Sequence, residues 1–70
     1  MLTVATIGEK VREARRLAML TQGELAEKSG VGITSIVRIE REQLDTAPRV
    51  STLRKLAKGL DVDPRELLDD

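Results

Sequence analysis

The chain has 70 residues, 12 basic and 12 acidic side chains, and no His, Cys, Phe, Tyr or Trp. That length suits one small domain over residues 1–70, without room for a deep substrate pocket. The missing residue types exclude a disulfide framework, a thiolate or imidazole metal site and the usual imidazole base, and a formal net charge of zero gives no general pull toward polyanions.

The charge is nevertheless uneven along the chain. Lys10, Arg12, Arg15 and Arg16 against Glu9 and Glu13 leave residues 1–20 at +2, whereas Asp61, Asp63, Glu66, Asp69 and Asp70 crowd the other end. No apolar run approaches the length of a bilayer span, and Met1–Ala5 is too short for a secretory signal. The expectation is a soluble, cytoplasmic protein.

Helix starts are signalled first by Thr6, three residues ahead of Glu9, the spacing of a capping box. A helix is expected over about 7–18, with Ile7, Val11, Ala14, Leu17 and Ala18 as its apolar stripe. Thr21 and Glu24 repeat the device and open a short helix over 22–29, in which Leu25 and Ala26 face inward. Gly30 stops it, because glycine takes the left-handed conformation after a helix at no steric cost. A third helix over about 32–41 buries Ile36 and Ile39, and residues 42–48 lack any apolar period and read as a loop. The fourth helix, about 49–59, has Val50, Leu53, Leu56, Ala57 and Leu60 as its stripe. Asp63 and Glu66 form a third box around Pro64 and predict a fifth helix over 64–68. No segment alternates with a period of two. The fold class is all-α: five compact helices around an aliphatic core.

Residues 21–40 meet the needs of two helices crossing steeply. Ala26 is small enough to admit the second helix, Gly30 makes the corner and Val31 plugs the crossing. With Ile36 and Ile39 inward, Ile33, Thr34, Val37, Arg38 and Arg41 face outward on the second helix. Such a face has chemistry suited to a DNA groove. Arg38 can offer a bidentate fork to guanine, Thr34 can bond a base or phosphate, and Ile33 and Val37 can meet thymine methyls.

This segment resembles the helix-turn-helix of the lambda-repressor-like and Cro-type proteins, the XRE family. The likeness extends to Ile7–Ala18 and to Pro48–Leu68, where Leu53-Arg-Lys-Leu-Ala-Lys-Gly-Leu60-Asp-Val62 is similar to the family's fourth helix, and so covers most of the chain. It implies a sequence-specific double-stranded DNA-binding transcriptional regulator or repressor, with helix 32–41 in the major groove and Ile33, Thr34, Val37 and Arg38 at the base edges. Expected backbone contacts are Gln22 and Gly23, at a helix start where free N–H groups favour an anion, together with Ser35, Arg41 and Arg49. The family uses a glutamine at the position of Gln22 for this grip and brings the position of Arg49 near the DNA. It also pairs a base at the position of Arg15 with an acid at that of Glu40, a structural salt bridge tying the first helix to the third. One departure is plain: Glu42 stands where family members usually have a glycine, which predicts that the third helix runs on, and Asp45 adds a carboxylate to the following loop.

A lone neutral headpiece should bind DNA weakly, so a homodimer reading half-sites one helical turn apart is expected, through Leu60, Val62, Leu67 and Leu68. The competing reading is a protein-binding adaptor or antitoxin of the same fold that uses Ile33 and Val37 as an apolar docking patch. An enzyme is the poorest fit. Asp61, Asp63 and the Asp69-Asp70 tail read as a cap and a tail rather than a metal site, and no cofactor or small-molecule substrate is implied.

Overall fold

A computed structural model describes residues 6–43 and 48–68. Four α-helices, α1 (Ile7–Leu17), α2 (Gln22–Ser29), α3 (Ile33–Glu40) and α4 (Val50–Leu60), precede a short 3-10 turn at Pro64–Leu67. No strand occurs among the described residues. α2 packs on α4 and on α3, while α1 lies across α3 and reaches the C-terminal turn. Val11, Leu25, Val31, Ile36, Ile39, Leu53, Leu56, Ala57, Leu60 and Leu67 form one buried aliphatic cluster. Every helix contributes to it.

The caps vary in completeness. Thr21 accepts from the Glu24 N–H and the Glu24 carboxylate accepts from the Thr21 N–H, so the box opening α2 is closed on both sides. At α1, Thr6 accepts from the Glu9 N–H, but the Glu9 side chain takes the Thr6 hydroxyl rather than its N–H. The third expected box does not form. Asp63 caps the N–H of Arg65 and also takes its guanidinium, leaving Glu66 outside the cap.

That difference explains the expected fifth helix. The Glu66 N–H bonds the Asp63 carbonyl and the Leu68 N–H bonds that of Arg65, three-residue closures, and Leu68 is already extended. A single 3-10 turn results, enough to bury Leu67. Two stripe residues also differ from expectation. Leu17 is 77 % and Val50 59 % exposed, because each stands at a helix end that overhangs its neighbours.

Three helices end on a left-handed residue that is not glycine. Met19, Glu42 and Asp61 have φ of 59°, 58° and 58°. In each case the following N–H reaches back to the helix: Leu20 to Arg15, Gln43 to Arg38, and Val62 to Ala57. These are Schellman closures. The third helix therefore stops at Glu40 instead of running on, and Glu42 adopts the conformation that a glycine would take without strain. Asp45 and the rest of 44–47, like the 1–5 and Asp69-Asp70 termini, lie outside the described residues.

Candidate nucleic-acid interface

The site is built on the corner between α2 and α3. Gly30 takes φ +74° and its N–H bonds the Ala26 carbonyl, the Ser29 hydroxyl accepts from the Val31 N–H at 3.1 Å, and Val31 is buried. Gly32 then opens α3 from an extended conformation without a side-chain cap. α3 presses Ile36, Ile39 and Glu40 into the molecule. Its other side shows Ile33, Thr34, Ser35 and Arg38, continued by Arg41 beyond the helix end, all exposed; Val37 is half-buried on the flank. Ile33, at 48 % exposure, leans over the start of α2, with its Cδ1 4.0 Å from where a Cβ on Gly23 would lie. The exposed face thus joins an aliphatic end to a cationic end.

One buried carboxylate fixes how this face is presented. Glu40, the last residue of α3, takes Arg15 Nε at 2.8 Å on Oε2 and Arg15 Nη2 at 3.0 Å on Oε1. Arg15 Nη1 adds a bond to the Leu20 carbonyl at 2.9 Å. Gln22 Nε2 reaches the same Oε1 at 3.3 Å. The Glu40 side chain is 3 % and that of Arg15 16 % exposed, so the pair is largely withdrawn from water. Hydrogen bonding to Glu40 raises the guanidinium pKa above its ordinary value, against a smaller opposing effect of burial. Breaking such a pair by removing one partner costs about 3–5 kcal/mol where burial is complete.

Residues named in the sequence reading divide as follows. Gln22 and Gly23 open α2, half-buried; Arg49 is exposed at the N-cap of α4 and makes no side-chain cap bond. α3 and α4 share two features: neither has a side-chain cap, and neither has an acidic residue in its first turn. Their positive ends are therefore not neutralised locally. Leu60 and Leu67 require correction as surface residues. They are 5 % and 1 % exposed and close the protomer's own core, since α4 and the 3-10 turn fold against each other there. Val62 is half-buried against that core, and Leu68 is exposed.

Two features escaped the sequence reading. The Gln22 amide is tied to the Arg15–Glu40 pair, although nothing in the spacing of residues 22 and 40 announces it. Gly8, buried in the first turn of α1, lies directly beneath α3. A Cβ there would stand 2.3 Å from the Ile39 carbonyl oxygen. Its signal was present: a glycine inside a helix costs about 1 kcal/mol relative to alanine and implies a packing reason. Gly59 tells the same story on the other side, where a Cβ would meet Ser29 Cβ at 2.9 Å and its backbone at 3.0 Å.

Known proteins share both sequence and shape with this chain. Residues 11–67 match the helix-turn-helix family. The HTH-type transcriptional regulator SinR of Bacillus subtilis is 38% identical over 64 residues, covering 91% of this chain and 57% of SinR. The chain thus spans little more than half of that relative. The N-terminal DNA binding domain of the same SinR superposes with a TM-score of 0.84 at 36% identity, covering 91% of each chain. The P22 c2 repressor, solved in complex with a synthetic operator, gives 0.78 at 31% identity over 91% of this chain and 94% of its own. The restriction-modification controller protein C.AhdI of Aeromonas hydrophila gives 0.78 at 35%, over 89% and 91%.

Proposed function

Because this chain belongs to the helix-turn-helix family of DNA-binding transcriptional regulators, which are not enzymes, we propose that it recognises a specific double-stranded DNA sequence with α3 in the major groove. The observation that carries this reading is the exposed side of α3, apolar at Ile33, hydroxylic at Thr34 and cationic at Arg38, on a helix anchored from behind by Ile36, Ile39 and Glu40. Arg38 forks onto a guanine edge, Thr34 bonds a base, and Ile33 with the flank of Val37 meets thymine methyls. Gln22, Gly23, Ser35, Arg41 and Arg49 hold the phosphates on either side and set the register without reading sequence. The operator complex of the P22 c2 repressor supports the assignment by likeness of fold.

The protein acts as a homodimer on a two-fold symmetric operator. With Leu60 and Leu67 consumed inside the protomer, the pairing surface centres on Leu68 and on Val50, which the sequence reading had assigned to the core. The two side chains line one shallow depression of about 260 Å3 with Leu53, Arg54 and Pro64. Val62 contributes at its edge only.

Selection of bound sequences from a random duplex pool tests the reading. A two-fold symmetric consensus is expected. Arg38→Ala should cost about 1–3 kcal/mol at the selected site and relax preference at one base pair per half-site. An adaptor or antitoxin docking through Ile33 and Val37 would select no consensus, and Arg38→Ala would leave its weak DNA binding unchanged.

A further inference from the structure

We propose that Glu40, which cannot reach DNA itself, positions a phosphate contact by holding the Gln22 amide in one orientation. One Nε2 hydrogen lies on the Glu40 carboxylate and the other is left for a phosphate oxygen. The proposal rests on the DNA-binding reading above.

The chemistry of the partner fixes which end of the amide faces inward. A carboxylate only accepts, so the nitrogen of Gln22 and not its oxygen must point at Glu40; the flipped amide would set lone pairs against lone pairs. The carboxylate cannot turn to follow, since Arg15 holds both of its oxygens at 2.8 and 3.0 Å and is itself anchored to the Leu20 carbonyl. The 3.3 Å bond to Gln22 is the longest of the set, on an oxygen that already serves Arg15. It is a weak bond with a firm direction. Because Glu40 closes α3 and Gln22 opens α2, it references the amide on one helix to the end of the reading helix. An untethered glutamine at that place would present its carbonyl oxygen to a phosphate as readily as its N–H, and would lose rotamer freedom on binding. Glu40 is thus a positioning residue, acting through Gln22.

The test uses the selected duplex with single methylphosphonates placed in turn at each backbone position. For the wild-type protein, one phosphate in each half-site is expected to show a penalty of about fivefold that disappears in Gln22→Ala, the size that follows from ordering one side chain in advance. In Glu40→Asp, which keeps the charge but withdraws the carboxylate by one methylene, and in Glu40→Gln, that penalty should fall below about twofold by the same reasoning. Because each penalty is a ratio of two affinities of one variant, a general loosening of α3 lowers both and leaves the ratio unmoved. A full penalty retained in the folded Glu40 variants overturns the proposal.

A second measurement needs no variant. The chain has two side-chain amides, Gln22 and the exposed Gln43. In 15N relaxation of the free protein the Gln22 NH2 should be ordered and that of Gln43 mobile; equal mobility overturns the proposal whatever the variants do. Failure of the DNA reading looks different. The wild-type protein would then select no sequence, or no phosphate would depend on Gln22, and the proposal would fall with it.

Discussion

Residues that occupy conformations foreign to their type are the most direct handles on this molecule. Met19 sits at φ 59° with its side chain 88 % exposed, so it bears the steric cost of the left-handed region without packing in return. That cost is about 1–2 kcal/mol for an L-residue, partly offset in a glycine by the greater freedom of the unfolded chain. Met19→Gly should therefore stabilise the protein by about 0.5–1 kcal/mol, read as a higher urea midpoint at unchanged slope. Glu42→Gly should act in the same direction. Gly30→Ala, at φ +74°, should destabilise by a comparable amount. Gly30 was legible because glycine advertises its conformation; Met19, Glu42 and Asp61 were not, since the closure that demands a positive φ leaves no mark on the side chain that suffers it.

At the scale of elements, periodicity and capping located all four helices to within a residue or so at each end. Both signals are local, and the errors arose where a neighbour decides the outcome. Val50 keeps the period of its stripe yet overhangs the core, and Asp63 finds Arg65 before Glu66 can complete a box. The Gln22–Glu40 bond joins two helices and has no counterpart in sequence spacing. The closed box at α2 predicts a pH dependence. Bonds from the Thr21 backbone and hydroxyl hold the Glu24 carboxyl below the usual glutamate range. A depressed native pKa adds stability that is complete above the unfolded-state value and disappears as pH falls through the native one. Thr21→Ala or Glu24→Gln should accordingly lower stability at pH 7 and flatten the acid limb of a stability–pH curve from urea melts at pH 7 down to pH 3. An acid limb identical to that of the wild type would show that the cap contributes nothing.

For the whole molecule the zero net charge conceals an arrangement. Arg38, Arg41 and Arg49 are exposed around α3 and the start of α4, while Asp61, Asp63 and Glu66 are exposed beyond the other end of α4. Affinity for the selected duplex should depend on salt through these three arginines. At roughly −0.9 per neutralised phosphate, log K against log salt should have a slope of about −5 for a bound pair. Occupancy should rise with the square of protein concentration, and Leu68→Asp should reduce that dependence to first order. A slope near zero would mean that the arginines do not meet phosphates.

The carbonyl of Ile39 rests on α1 with no more than the hydrogens of Gly8 between them. Position 8 is therefore a shim under the reading helix, remote from every base it addresses. A graded series of Ala, Ser and Val there should tilt α3 by increments, and pools selected by those proteins should differ in the gap between half-sites while the half-sites themselves keep their letters. A lineage could retune its targets in this way without changing a single residue that touches them.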